Sequence, residues 1–374
     1  MNPLRRLRLN QKGYTMIEIM ITTAIIGIVT PAITFLFLRM SQGMAGDEMR
    51  TQLQNLNTNT MLRVRDRLLA NRRLLLDDGS GISYISKIAM SSTAPPVMVN
   101  SRPASIDPSG SFSGVTATAR DFGDSLFLAV DDSPTTIAGK AYNAPITASD
   151  PSITWSTPVV PPPTPNPAPV PAPSVIDVYR FYYYYLTTLN AKAIPNATTY
   201  RLVEWRSVQY ADYYELSNIP DPVVQQSTVA WLATANHVDP SNPTYTLTNA
   251  WDPTQDDPNQ AFYTLSAAGA ITGPTGTPTI PESDWSYMTH VTSGILSNGF
   301  SYGIAPNNPT WYGVPSVPAY GAVSVAFPAG FEVGVTGNAE GRQVLIRSLL
   351  VAKGASPMII HNDMTTINAV RDIH

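Results

Sequence analysis

Residues 19–38 form a run of twenty uncharged, mostly apolar residues, entered through Gly13-Tyr14-Thr15-Met16-Ile17-Glu18. As a helix at about 1.5 Å per residue, such a run is about 30 Å long, one hydrocarbon thickness. Everything downstream must therefore fold while attached to a membrane span. The leader before it holds Arg5, Arg6, Arg8 and Lys12 and no acid, whereas Arg39 alone follows the run directly. This asymmetry predicts a single pass with the N-terminus in the cytoplasm. A secretory signal peptide has a shorter apolar region closed by a small-x-small site; here Arg39-Met40-Ser41-Gln42 follows instead. A plain anchor leaves Glu18 unexplained, since a carboxylate at the mouth of a span is costly.

Lys12-Gly13-Tyr14-Thr15-Met16-Ile17-Glu18-Ile19-Met20 resembles the class III signal of type IV pilins and type II secretion pseudopilins. The resemblance implies that prepilin peptidase cuts after Gly13 on the cytoplasmic side and that Tyr14 becomes the methylated N-terminus. Glu18 is then the fifth residue of the mature chain. Most of the family begins with Phe, and Tyr14 is an aromatic departure. The family's Glu meets the N-terminal amine of a neighbouring subunit during assembly, which would offset its cost in lipid. The resemblance also implies other pilin subunits and an inner-membrane assembly platform as partners. Its localisation would be the bacterial inner membrane with a periplasmic body, then a filament. Gly27 and Pro31 predict a kink or local unwinding within the span, because Pro lacks a backbone N–H and crowds the carbonyl of residue 27.

Beyond Arg39 a helical period persists: Met49, Leu53, Leu56, Thr60, Val64 and Leu68 mark one face. A helix over 14–75, about 90 Å long, is expected, with its membrane part at about 15–38 and Asp77-Asp78-Gly79-Ser80-Gly81 ending it. Arg63, Arg65, Arg67, Arg72 and Arg73, interleaved with acids, read as a solvated face. The body is expected to divide into a first β and loop region (76–156), a proline-rich linker or loop (157–174) and a β-rich part (175–374). The predicted strands are Ser125–Val130, Val175–Leu186, Tyr200–Ser207, Gly321–Phe327 and Arg342–Val351, the last central. Residues 187–199 would close a hairpin between the second and third. That Tyr-rich hairpin resembles the larger minor pseudopilins of the J type and the minor pilins called PilW. The expected fold is α+β and pilin-like: a long N-terminal helix packed on an antiparallel sheet body with large loop-rich insertions.

Composition narrows the chemistry. With no Cys, thiolate metal sites, disulfides and Cys nucleophiles are excluded. Without the four basic residues of the leader, 19 basic face 27 acidic residues, a poor balance for binding nucleic acid. Phe122-Gly123-Asp124-Ser125-Leu126 spells the nucleophile block of GDSL-type esterases, but it precedes its strand, and Asp372-Ile373-His374 has the wrong spacing for the other triad members. A turn into a strand is the expected reading. Asp252, Asp256 and Asp257 are weak calcium candidates without EF-hand spacing. No cofactor and no catalysis are expected. The function expected is that of a minor pilin or pseudopilin at a filament tip, priming or capping assembly; the alternative is a tip adhesin or DNA-uptake receptor exported by the same route.

Overall fold

The computed structural model describes residues 15–90, 103–107, 122–132, 176–188, 193–194, 197–220, 222–233, 246–289, 301–305, 330–338, 340–354 and 359–372. Its first element is α1 (Met16–Leu69), 54 residues and about 80 Å long. Thr15 starts it with a capping box. The Glu18 N–H donates to Thr15 Oγ1 at 3.3 Å, and Glu18 Oε2 accepts the Thr15 N–H at 2.8 Å. The body buries Met49, Leu53, Asn57, Thr60, Met61, Val64 and Leu68 on one face of α1. Leu56 of the predicted face is only partly buried, and Asn57 takes the position above Thr60.

α1 stops six residues short of the expected 75. Asn71–Leu75 is instead a strand, β1, paired antiparallel with β3 (Leu126–Asp131). The Leu74-Leu75-Leu76 run suits either helix or strand, and the pairing with β3 decides it. Nor does the Asp77–Gly81 cluster end α1. The Asp78 carboxylate accepts the Gly81 N–H at 2.7 Å and starts a second helix, α2 (Gly79–Ile85).

The remaining elements, in chain order, are β2 (Ile106–Asp107), then β4 (Val178–Thr187), β5 (Ala193–Ile194), β6 (Ala197–Thr198), β7 (Arg201–Asp212), α3 (Tyr213–Ser217), α4 (Pro222–Leu232), β8 (Asn249–Trp251), α5 (Pro258–Ala261), β9 (Phe262–Leu265), β10 (Ile271–Thr272), β11 (Glu282–Tyr287), β12 (Ser301–Ile304), β13 (Phe331–Thr336), β14 (Arg342–Lys353) and β15 (Ile359–Val370). An eight-stranded sheet has the order β1-β3-β4-β7-β8-β9-β10, with β11 also on β7; a five-stranded sheet has the order β12-β14-β13-β2, with β15 on β14. Pairing is antiparallel apart from β7 with β8 and β13 with β2. Single bridges from Tyr200 to Ile304 and from Gly123 to Val333 join the two sheets, giving a curled α+β body with α1 in its concavity.

The β4–β7 hairpin forms as expected, from Val178 opposite Ala211 to Thr187 opposite Arg201, with the small β5–β6 pair inside its connection. β14 is central, flanked by β15 on one side and by β13 and β12 on the other. The expected strand at 321–327 and the proline-rich segment lie outside the described residues. β4 is buried on both faces. Tyr182, Tyr184 and Leu186 join α1 in one core, while Tyr179, Phe181, Tyr183 and Tyr185 join Trp205, Trp251 and Phe262 in a second, aromatic core. Period 2 along the strand puts alternate tyrosines on opposite faces. A third cluster ties α4 to β8 through Val229, Leu232, Leu247 and Ala250.

Candidate functional site: the two halves of the N-terminal helix

The first half of α1 is bare. Its most apolar window has a mean hydropathy of 2.2 with none of it buried, so this is one helix long and apolar enough to cross a membrane. The hydroxyls of Thr22, Thr23 and Thr34 donate to the carbonyls four residues back at 2.7–2.8 Å, which hides polar groups inside an apolar stretch. Helix α1 runs through Pro31 without a break. Pro31 leaves the Gly27 carbonyl without its intrahelical donor, the local weakness from which a kink or unwinding at 27–31 was expected. Gly13 and Tyr14 lie outside the described residues. Glu18 sits three residues past the N-cap, where its carboxylate closes the start of the helix.

The second half docks on the body through polar contacts set among apolar ones. Asn57 is fully buried; its Nδ2 donates to Ser348 O at 3.0 Å and to Asn362 Oδ1 at 2.7 Å, tying α1 to β14 and β15. Thr60 Oγ1 donates to Met288 O at 3.2 Å. Arg63 pairs with the fully buried Glu204 of β7, which also accepts the Tyr184 hydroxyl at 2.8 Å and lies 3.5 Å from Arg206. The Arg67 guanidinium covers the Tyr182 ring at 4.6 Å.

The basic residues are therefore not one solvated face. Arg63 and Arg67 reach the body, and Arg73 is buried. Its guanidinium donates to Pro253 O, Gln255 O, Ser80 Oγ and Asp256 Oδ1, fastening the 253–256 loop and α2 to β1. The sequence reading missed this because three of the four partners, Pro253, Gln255 and Asp256, lie 180 to 183 positions along the chain.

The three calcium candidates serve three different local ends. Asp252 accepts the N–H and hydroxyl of Thr254, Asp256 pairs with Arg73, and Asp257 caps α5 by accepting the Asn259 N–H at 2.9 Å. The carboxylates that do converge, among the described residues, are Asp177, Asp212 and Glu215, with one oxygen of each within 4.8 Å of the others. They are held by protein donors: Asp212 accepts the Tyr179 hydroxyl at 2.8 Å and the Glu215 N–H at 3.0 Å, and Glu215 accepts the Asp177 N–H at 2.8 Å.

Burial raises the Asp212 carboxyl above its ordinary range and pushes Glu215 up to about 7; the hydrogen bond from the Asp177 N–H opposes the rise at Glu215, the Asp177 and Asp212 carboxylates add to it, and Arg72 opposes it more weakly. The folded protein thus holds protons that the unfolded chain releases, so stability falls as pH rises from the ordinary glutamate value of 4.5 through about 7. Glu215→Gln keeps an oxygen for the Asp177 N–H and removes one titration. Urea midpoints measured at about pH 5 and about pH 8 are expected to differ less in this variant than in the parent.

The esterase-like block is structural where it is described. Gly123 exchanges two 2.8 Å backbone hydrogen bonds with Val333, and Asp124 and Ser125 are fully buried at the entry to β3. His361, the one histidine among the described residues, lies on β15 in the other sheet.

A bare apolar helix entered through a Thr15–Glu18 cap, continuing into a half-buried helix in a curled sheet, is the geometry the N-terminal signal implies. The profile of the prokaryotic N-terminal methylation motif matches residues 8–30. This motif, running into a long apolar helix, supports the pilin and pseudopilin family. No curated protein and no solved structure matches the chain. In pilin terms, the matched motif ends inside the exposed half of α1, so what this pilin-like subunit does with its large body is carried by residues outside the motif.

Proposed function

We propose that this chain is a minor pilin or pseudopilin of a type IV pilus or type II secretion pseudopilus, placed at the filament tip to prime or cap assembly. Prepilin peptidase cuts after Gly13, and Tyr14 becomes the methylated N-terminus. Before assembly the exposed half of α1 anchors the subunit in the inner membrane with the body on the periplasmic side. The assembly platform then moves it into contact with other subunits, Glu18 guides docking, and Gly27 with Pro31 is where the anchor yields on extraction. The observation that carries this reading is the methylation motif running straight into a helix with one bare and one docked half. A body this large, with loop-rich insertions, obstructs lateral stacking least at a tip. The hairpin of β4 and β7, rich in buried Tyr, supports kinship with the J-type pseudopilins and PilW-like pilins.

Mass spectrometry of the protein purified from its host membrane tests the processing step. The expected N-terminus is N-methylated Tyr14; an intact Met1 end, or a cut elsewhere, overturns it. Deleting the gene is expected to lower filament number. Normal filaments with lost adhesion or DNA uptake would instead assign the body to ligand binding.

A further inference from the structure

Between its two halves, α1 has little lateral support among the described residues. Residues 39–48 follow Leu38, the end of the apolar run, and precede Met49, the first α1 residue that the body buries. Of these ten, only Ala45 and Gly46 are even partly covered. Two of the ten are glycines, Gly43 and Gly46. A Cβ placed on either meets no atom within 4 Å, and both lie within unbroken helix. Neither close packing within the subunit nor backbone conformation asks for glycine here. The contrast is with Gly81 and Gly303, where a Cβ would come within 1.9 Å of Leu76 O and 2.6 Å of Tyr200 O. A glycine inside a helix weakens it relative to alanine by a factor of roughly two to five. A solvated helical stretch this short has little stability of its own.

We propose that residues 39–48 are a hinge. Gly43 and Gly46 let this stretch of α1 open and bend, so that the body swings against the span as a unit while α1 beyond Met49 stays docked. The flanks suit such a joint. On one side the apolar run holds its own backbone hydrogen bonds, and its threonines bond back to the helix. On the other, Asn57, Thr60 and Arg63 fix α1 to both sheets. Bending is thereby confined to the stretch that neither lipid nor body supports. The device is distinct from Gly27 and Pro31, which lie inside the span, and it depends neither on cleavage after Gly13 nor on placement in a filament.

The absence of Cys allows a direct test on the full chain in lipid nanodiscs. Spin labels on Leu38→Cys and Gln54→Cys span the joint, about 24 Å apart in a straight helix. Labels on Gln54→Cys and Arg65→Cys report on the docked half alone. Pulsed electron–electron distance measurement is expected to give a broad distribution for the first pair and a narrow one for the second. In G43A/G46A, which favours helix, the first pair should sharpen to one peak near about 24 Å, and amide exchange through 43–50 should slow about tenfold. A first-pair distribution as narrow as the second in the parent protein overturns the hinge. Equal breadth in the parent and G43A/G46A overturns the assignment to the glycines.

Discussion

Arg63→Ala is expected to destabilise the body by about 2–3 kcal/mol and to loosen the docked half of α1. Glu204 is fully buried, and Arg63 is the cation paired with it from α1. Breaking a buried ion pair from one side leaves an uncompensated charge, which costs about 3–5 kcal/mol when both partners are buried. Here the Arg63 side chain is 42% exposed, and Arg206 and the Tyr184 hydroxyl remain beside the carboxylate, so the lower figure applies. The loss should show as a lower urea midpoint and faster amide exchange over 57–68. The double variant R63A/E204Q removes the orphaned charge along with its partner and should recover part of the loss. If R63A/E204Q is as unstable as R63A, the charge on Glu204 does not depend on Arg63 and the account fails.

Substituting Glu18 should separate two roles that one carboxylate holds. Its oxygen closes the capping box with Thr15, and on the assembly reading its charge meets a neighbour's terminal ammonium. Glutamine also serves in a capping box but carries no charge. E18Q is therefore expected to insert and be processed normally, yet to enter filaments more than about tenfold less than the parent. That is the order of loss when one side of a buried charge pair is removed. E18A, which loses the cap as well, should fall at least as far. The comparison is read by immunoblot of sheared filaments against the membrane fraction. Parental incorporation of E18Q with poor incorporation of E18A would make the cap, and not the charge, the feature that assembly needs.

The parts of this fold that were legible in the sequence are those where one local signal suffices. The span shows through its missing charges, α1 through a period that outlasts the lipid, and β4, β7 and β14 through runs of aromatic and β-branched residues. Strand β15 (Ile359–Val370) was not among the expected strands, because His361, Asn362, Asp363 and Asn368 break its apolar pattern; its twelve-residue register with β14 makes it a strand. The boundary at Leu69 failed for the same reason, since pairing with β3 is a tertiary fact. Charged side chains misled most. Arg63, Arg73 and Glu204 belong on the surface by residue type. Arg63 and Glu204 stand 141 positions apart and Arg73 and Asp256 stand 183 apart, distances over which a single sequence names no partner. At the N-terminus the spacing Thr15-x-x-Glu18 itself spells the capping box that the helix start uses.

The contact between Asn57 and Asn362 spans 305 residues, so the first helix of the chain is closed over by one of its last strands. This sets an order on export. On the proposed periplasmic placement of the body, the apolar face of α1 emerges early and stays uncovered until β14 and β15 follow it across the membrane, because Val344, Ile346, Leu350 and Ile360 form the wall on which it rests. Such long-range closure is slow and leaves the growing chain prone to sticking. A chain cut short before β14 would keep its N-terminal signal and apolar run yet leave its central helix unroofed, and on the proposed placement it would be a target for periplasmic proteases.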